Sequence, residues 1–215
     1  MSGADPRPEA APSRSVEIEL KFDVDDGVAL PDWSALPGVA AVSAGEPRSL
    51  DATYLDTADV ALARAGYALR RRTGGPDAGW HIKGPRGADG GRVELHWPLG
   101  EEDEVPAGAR AEVEAVVGDA ALTPLARIRN ERVAYFLLSP AGEVVAEVAD
   151  DHVRTRDERS GIEHEWHEWE IELGPAGAAD PEERRVFFTA VADAAHAAGA
   201  RAAASDSKLA RALGH

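Results

Sequence analysis

Glu17-Ile18-Glu19-Leu20-Lys21 is the stretch of sequence that decides the fold. Side chains alternate between the two faces of a β-strand, so Glu17, Glu19 and Lys21 share one face while Ile18 and Leu20 lie on the other. The predicted strand therefore has one ionic face, with both signs of charge, and one apolar face. A single strand of this kind is most simply the solvated face of an ordinary sheet.

The same charged alternation recurs in five later segments. An open sheet would expose such a face to water, but six ionic strands together favour a closed sheet whose charged faces line one lumen. We therefore predict an α+β fold: a closed eight-stranded antiparallel β-barrel (a tunnel) with a charged lumen, covered by helices that include a C-terminal helical segment. The recurring residues are Arg70 and Arg72; His81 and Lys83; Arg92, Glu94 and His96; Arg127 and Arg129; and Glu168, Glu170 and Glu172.

Composition excludes several classes of protein. The 215 residues, 44% of them hydrophobic, suffice for a sizeable core, and the formal net charge of -16 disfavours nucleic acid and anionic membranes as partners. The absence of cysteine excludes disulfides, thiolate zinc sites and a cysteine nucleophile. Because the sequence has neither an apolar stretch that could span a bilayer nor a secretory signal, we expect a cytoplasmic protein.

The chain is predicted to form a single domain over residues 15–215, after a disordered tail over residues 1–14 that contains three prolines. Strands are separated by clusters of Gly, Pro and Asp that indicate hairpin turns. Strands are predicted at 15–22, 49–55, 67–73, 80–83, 92–98, 125–138, 143–150 and 165–173, and helices at 32–36, 57–65, 101–117, 182–198 and 207–213.

Mixed signs suit a lumen that binds a polyanion together with metal ions. A lumen of cations alone would repel itself, since two unit charges about 4 Å apart interact by about 4 kcal/mol at an effective dielectric near 20. The arginine fork and the lysine ammonium suit phosphate oxygens. Paired carboxylates suit hard divalent cations, which prefer oxygen ligands. We therefore predict a phosphate site that also binds hard divalent metal ions.

These residues resemble the CYTH domain, or triphosphate tunnel metalloenzyme, superfamily. The ExExK signature of that family corresponds to Glu17, Glu19 and Lys21. The resemblance covers Ser15 to Leu213 and continues through Tyr54-Leu55-Asp56-Thr57, Leu69-Arg70-Arg71-Arg72, Ile82-Lys83-Gly84-Pro85, Arg92-Val93-Glu94, Arg127 to Arg132, Glu170-Ile171-Glu172 and Ser207-Lys208.

The resemblance implies a tunnel in which acidic side chains hold one or two Mg²⁺ or Mn²⁺ ions and basic side chains bind a triphosphate. It implies catalytic roles for Glu17, Glu19, Lys21, Glu94, Glu170 and Glu172. The implied metal ligands are Glu17, Glu19, Glu147, Asp150, Glu170 and Glu172. The implied phosphate-binding residues are Lys21, Arg70, Arg72, Lys83, Arg92, Arg129, Arg132 and Lys208.

The implied activity is metal-dependent hydrolysis of a triphosphate, with inorganic tripolyphosphate as the favoured substrate and orthophosphate as the product. A triphosphate or polyphosphate is thus the expected partner. Class IV adenylate cyclase, thiamine triphosphatase and a non-catalytic polyphosphate-binding module remain alternatives. The oligomeric state stays open, with a homodimer as one alternative.

Three segments have competing interpretations. Asp56 and Thr57 fit a helix cap as well as a site role. The arginines between residues 127 and 132 cannot all face the lumen, and we favour Arg132. The stretch His164-Glu165-Trp166-His167-Glu168 lacks the HExxH spacing of a helical zinc site, so we expect no zinc there.

Overall fold

The computed structural model describes residues 11–88, 90–100 and 104–214. Residues 1–10 of the predicted tail and residues 101–103 of the predicted helix 101–117 lie outside this range. Ser13 and Arg14, at the end of the predicted tail, already belong to the first strand.

Strands are the commonest elements among the described residues, and each of the eight predicted strand segments overlaps an observed strand. The strands are β1 Ser13–Glu17, β2 Glu19–Val24, β3 Ala41–Val42, β4 Glu46–Asp56, β5 Ala68–Thr73, β6 Gly79–Arg86, β7 Arg92–Pro98, β8 Thr123–Leu138, β9 Val144–Asp157, β10 Glu163–Leu173 and β11 Arg201–Ala202. The helices are α1 Ala61–Arg64, α2 Ala107–Val117, α3 Pro181–Ala197 and α4 Lys208–Ala212, with a 3-10 turn at Trp33–Ala35.

The strands form one antiparallel sheet. Its hydrogen-bonded order is β1-β7-β6-β5-β4-β8-β9-β10-β2-β11, and β3 pairs with β8 off this path. The sequence-based prediction of a closed eight-stranded barrel is therefore wrong: eleven strands occur in the described part of the chain, and no ladder there joins β1 to β2.

The break in the sheet lies at Ile18, inside the segment that was predicted to be one strand. Glu17 pairs with Arg92 of β7, whereas Glu19 pairs with Glu172 of β10. The backbone itself crosses from β1, at one end of the pairing path, to β2, the last strand but one at the other end. The Ile18 carbonyl accepts a hydrogen bond from the Leu173 amide at 2.9 Å. The sheet thus curls around its ionic faces without closing as a hydrogen-bonded ring.

Helices cover the apolar faces of the sheet, as predicted. Phe187 and Val191 of α3 pack with Trp169 and Ile171 of β10 in a buried cluster. A second cluster joins α2 to the strands β5 to β7. A third cluster, of α4 with strands β4, β8 and β9, includes Ala52, Ile128 and Leu209, which line the concave side, so α4 covers part of that side. Because α2 and α3 bury apolar side chains on the outer side, the alternating charged side chains face the concave side.

The segment after β4 is organised by a carboxylate cap. The buried Asp56 side chain accepts hydrogen bonds from the backbone amides of Thr57, Leu62 and Ala63 at 2.7, 2.9 and 3.0 Å. These amides have no partner within the short helix α1, so Asp56 satisfies them in place of water. The capping interpretation of Asp56 therefore fits the structure.

Candidate functional site

The charged faces converge on one cavity of about 720 Å³. Eight Lys or Arg side chains and eight Asp or Glu side chains line it, although the chain as a whole carries a formal charge of -16. The cavity is thus far less acidic than the rest of the molecule. A volume of this size is typical of small-molecule sites.

A row of three carboxylates crosses one wall of the cavity. Glu172 of β10 lies directly opposite Glu19 of β2 on one side and Glu147 of β9 on the other. Side chains at opposite positions of antiparallel strands have Cβ atoms about 5 Å apart, and like charges there repel. Glu147 pairs with Arg48 at 3.1 Å, and Glu19 with Lys21 at 2.9 Å, but Glu172 forms no ion pair with any described residue.

This crowding shifts the pKa of Glu172. Burial and the neighbouring carboxylates of Glu17, Glu19 and Glu170 raise the pKa of Glu172 to about 8, and Lys83 offsets only part of the effect. Burial also raises the pKa of Glu17, which pairs with Lys83 at 2.6 Å. Glu172 therefore lacks a balancing positive charge, and the oxygen-only donor set of this wall fits a hard divalent cation.

A second acidic group, Asp151, Glu168 and Glu170, lies deeper. Its ligand atoms lie within 4.8 Å of one another, which would allow a metal ion. The Lys208 ammonium, however, already contacts all three carboxylates, at 2.9 Å to Asp151, 2.5 Å to Glu168 and 2.7 Å to Glu170. Arg132 adds a bidentate contact to Asp151, with both distances 2.7 Å.

The charges of this deeper group balance within the protein. Arg132 also reaches Glu170 at 2.7 Å, and Lys21 forms a very short contact with Glu170. Three cations thus face three carboxylates, and the pKa of Glu170 is held well below its ordinary value because Lys208, Lys21 and Arg132 outweigh its burial. Side-chain cations therefore already neutralise this group, in contrast to the row around Glu172.

Helix α4 supplies Lys208. Ser207 caps the helix, and its hydroxyl accepts a hydrogen bond from the Ala210 amide at 3.1 Å. Leu209 and Ala212 bury the apolar side of this short helix against the sheet. The packing turns the first helical residue, Lys208, toward the carboxylates.

The opposite wall carries arginines. Arg72 is buried and pairs with Asp77, and Arg92 donates to the carbonyl oxygens of Gly84 and Gly66 at 2.7 and 3.1 Å. Burial, followed by the charges of neighbouring Arg70 and Arg132, lowers the pKa of Arg72. The buried Nε atoms of Arg70 and Arg72 have no hydrogen-bond partner among the described residues. Unmet donors and mutual repulsion both favour an anion here.

Glu94 lies between these two walls. It accepts from Arg70 at 3.4 Å and from His81 Nδ1 at 3.0 Å, and it lies 4.0 Å from Lys83. These neighbours outweigh burial and hold the pKa of Glu94 well below its ordinary value. Glu94 is therefore an ionised acceptor.

The protonation of His81 follows from a conflict between its burial and its partners. Both ring nitrogens face acceptors, Glu94 and the Asp77 carbonyl oxygen, which favours the imidazolium. Burial, with Arg70 and Arg72 nearby, lowers the pKa of His81 to about 4. The effect of burial and of the two guanidinium groups outweighs that of the acceptors, so the ring is neutral and its Nδ1–H donates to Glu94.

The structure brings most of the residues that were predicted for the site into this cavity. The lining residues among them are Glu17, Glu19, Lys21, Arg70, Arg72, Lys83, Arg92, Glu94, Arg132, Glu147, Glu170, Glu172 and Lys208. Those residues remain predictions as functional groups, but their shared location agrees with one site.

Two predicted residues lie elsewhere. Arg129 points out of the cavity, where its exposed side chain lies 3.5 Å from Asp51. Asp150 also lies on the outer face, where His167 and Trp169 contact it at 2.5 and 3.1 Å. The predicted phosphate-binding role of Arg129 and the predicted metal-binding role of Asp150 in the cavity therefore do not fit the geometry. Residues an odd number of positions apart on a regular strand lie on opposite faces of the sheet. Arg129 is three positions from Arg132, and Asp150 is one position from Asp151, so each lies on the face opposite to that neighbour.

Sequence reasoning missed Arg48 and Asp151. Arg48 lies on β4 with the same parity as the lining residues Leu50 and Ala52, a signal that was available in the sequence. Asp151 shares the parity of Glu147 along β9.

The fold and the cavity together define a class of protein: an antiparallel sheet that curls around an ionic pocket with a carboxylate wall and an arginine wall. A family model described as the CYTH domain matches residues 15–191. The chain belongs to the CYTH domain family, as the sequence resemblance indicated.

Two Mycobacterium tuberculosis proteins, from two strains and both uncharacterised, are each 38% identical to this chain over 215 residues. The match covers 94% of this chain but only 41% of each relative. The chain therefore spans about two fifths of the length of the curated relatives that it matches.

Solved structures share the fold at low sequence identity. A candidate adenylate cyclase from Bacillus halodurans has a TM-score of 0.63 at 18% identity, with 92% of this chain and 97% of that chain covered. A protein from Pyrococcus horikoshii has a TM-score of 0.57 at 17% identity, covering 92% and 98%. A candidate adenylyl cyclase from Hippeastrum, which has a dominant triphosphatase activity, has a TM-score of 0.52 at 17% identity, covering 93% and 95%.

Among the described residues, no helix has the length and apolar character needed to cross a membrane.

Proposed function

We propose that this protein hydrolyses a triphosphate, with inorganic tripolyphosphate as the favoured substrate, and that it requires Mg²⁺ or Mn²⁺. The observation that carries the proposal is the pairing of two walls in one cavity. Glu172 has no ion-pair partner among the described residues and lies among other carboxylates, while the guanidinium groups of Arg70 and Arg72 have unmet donors. A metal-bound triphosphate supplies what each wall lacks.

The arginine wall would bind the phosphate chain. Arg70, Arg72 and Arg92 present several N–H donors, and Lys83 adds a point charge at the edge of the same wall. Phosphoryl transfer depends mainly on positioning and on neutralising charge at the phosphoryl oxygens. Fixed cations that carry out both tasks need no covalent partner from the protein.

The carboxylate wall would hold the metal. Glu19, Glu147 and Glu172 lie in one cross-strand row, and their burial and oxygen donors fit Mg²⁺ or Mn²⁺. A bound divalent ion would supply Lewis-acid polarisation of phosphoryl oxygens. The proposed role of Glu94 is to accept a hydrogen bond from the attacking water, because Arg70 and His81 hold its carboxylate in the ionised form.

The test measures orthophosphate release from tripolyphosphate, ATP, thiamine triphosphate and long-chain polyphosphate, each with Mg²⁺ or Mn²⁺, with cyclic AMP measured in parallel. Preferential release from tripolyphosphate supports the proposal. Cyclic AMP as the main product from ATP, or preferential turnover of thiamine triphosphate, would identify one of the alternative enzymes. Tight binding of polyphosphate with no product under either metal would identify a binding module.

Two variants test the proposed roles of the arginine wall and the carboxylate wall. Arg72→Ala removes charge-assisted hydrogen bonds that contribute about 1.5 to 3 kcal/mol each, so kcat/KM should fall about 10- to 150-fold at unchanged metal dependence. Glu19→Ala should raise the metal concentration needed for half-maximal rate. Arg129→Ala, on the outer face, is the matched control and should retain the wild-type rate. A folded Arg72→Ala or Glu19→Ala protein with wild-type kinetics would reject that residue's role.

A further inference from the structure

A second cluster of metal-ligating side chains lies on the outer face of the sheet, away from the cavity. Potential ligand atoms of Asp26, His152 and His167 all lie within 4.8 Å of one another. His152 and His167 are directly opposite each other on β9 and β10, and Asp26 follows β2, which pairs with β10 on the other side. None of the three residues lines the cavity.

The tautomer of His167 provides an independent observation. His167 Nε2 lies 2.5 Å from Asp150 Oδ1, and an ionised carboxylate can only accept a hydrogen bond, so its partner assigns the proton to Nε2. His167 is 8% exposed, and its Nδ1 is buried without a hydrogen-bond partner in the described chain. A neutral ring protonated at Nε2 has a free lone pair at Nδ1.

This arrangement is the one that metal-binding histidines require. A ligating imidazole commonly donates its other N–H to a carboxylate, which fixes the ring and increases the basicity of the ligating nitrogen. Asp150 supplies that carboxylate, and Trp169 Nε1 holds the same Asp150 oxygen at 3.1 Å. A buried acceptor without a donor is otherwise costly, so a cation at Nδ1 explains why the position is tolerated.

We propose that Asp26, His152 and His167 form a site for a first-row transition metal ion such as Zn²⁺, with Asp150 positioning His167. Two imidazoles and one carboxylate favour zinc or a similar borderline ion over Mg²⁺. Three protein ligands leave a fourth position open to water or to a further ligand. The site goes beyond the proposed triphosphate chemistry and does not depend on it.

Binding requires the side chains of His152 and Asp26 to rotate. The rings of His152 and His167 stack with centroids 4.2 Å apart and planes at 13°, so their in-plane lone pairs do not yet converge. Ligand atoms around a tetrahedral ion lie about 3.4 Å apart for bonds of about 2.1 Å, inside the 4.8 Å limit within which the three groups already lie. His152 and Asp26 are exposed, so both can rotate toward the fixed Nδ1 of His167 without disturbing the core.

The experiment is a Zn²⁺ titration by calorimetry in excess Mg²⁺, so that hard-metal sites in the cavity are occupied. The compared proteins are wild type, His152→Ala, Asp26→Asn and Asp150→Asn, with His164→Ala as the matched control on an exposed part of β10. We expect wild type and His164→Ala to bind one more equivalent of Zn²⁺ than His152→Ala. Asp26→Asn and Asp150→Asn should weaken that equivalent at least tenfold.

Two further readouts keep the result independent of triphosphatase activity. Co²⁺ should give visible absorption bands of a low-coordinate site in wild type that His152→Ala lacks. Zn²⁺ at a hundredfold excess over Kd should raise Tm by about 5 to 10 °C in wild type but not in His152→Ala. Equal Zn²⁺ stoichiometry and equal Co²⁺ spectra in wild type and His152→Ala would overturn the proposal, whether or not the protein hydrolyses a triphosphate.

Discussion

Replacing Glu172 with Gln should stabilise the metal-free protein. Glu172 lies between Glu19 and Glu147 and has no ion pair with any described residue, and burial with neighbouring carboxylates raises its pKa from 4.5 to about 8. Gln keeps the shape of the protonated side chain but cannot ionise. The substitution therefore removes the cost of keeping this carboxyl group in a crowded acidic wall.

The magnitude follows from the pKa difference between the folded and unfolded chain. An acid whose pKa is raised on folding loses its proton first in the unfolded state, so its contribution to stability is present below pH 4.5 and is lost as the pH rises to 8. At 1.36 kcal/mol per pKa unit, the cost is about 3 kcal/mol at pH 7 and about 5 kcal/mol above pH 8. Glu172→Gln should then raise Tm by about 6 to 12 °C at pH 7.

Thermal unfolding from pH 4.5 to 9 in EDTA tests this prediction. Wild type and Glu172→Gln should unfold at nearly the same temperature at pH 4.5 and diverge as the pH rises. Glu165→Gln, an exposed position on the same strand, should follow the wild-type curve. Added Mn²⁺ should raise the Tm of wild type more than that of Glu172→Gln, because the variant lacks a ligand. Parallel pH profiles for wild type and Glu172→Gln would refute the reasoning.

Three further substitutions test the surrounding structure by urea unfolding. Lys208→Met removes the ammonium that three buried carboxylates share and should cost about 3 to 5 kcal/mol at pH 7, with a smaller cost at acid pH; equal losses at both pH values would contradict the ion-pair argument. Asp56→Ala leaves three amides without their acceptor and should cost about 1 to 3 kcal/mol, whereas the exposed Asp59→Ala should cost less; equal costs would argue against the cap. Gly79→Ala places a Cβ against the His96 ring and the Trp97 carbonyl oxygen and should cost about 1 to 3 kcal/mol. An unchanged urea midpoint would show that β6 and β7 accommodate the added methyl group without loss of stability.

Strand alternation predicted most of the cavity because the side-chain period of a strand is local. Once Lys21 faces inward, Glu19 and Glu17 follow along the same segment, and the same rule places Arg70 with Arg72. A site prediction fails where two residues assigned to the same cavity are an odd number of positions apart on a regular strand. Arg129 and Arg132 are three apart, with no register shift between them, so only one can face the cavity.

The closure of the sheet could not be predicted in the same way. Alternation fixes which face a side chain takes, but it does not state which strand edges pair. Glu17 and Glu19 belong to one alternating pattern, yet they pair with β7 and β10 at opposite ends of the hydrogen-bonded path. The break between β1 and β2 is at Ile18, an apolar residue that fits the alternation of a continuous strand. The local sequence therefore gives no sign of the break.

The proposed zinc site depends on the same non-local information. His152 and His167 are fifteen positions apart in sequence but directly opposite in register, and a search for two histidines on one helical turn cannot find such a pair. Asp150 and Asp151 show the consequence within a single dipeptide. Strand parity turns Asp151 toward Lys208 inside the cavity and Asp150 toward His167 outside it. Adjacent carboxylates thus contact different partners on the two faces of one strand: alternation separates the faces, but only the register of β9 against β10 places His167 beside Asp150.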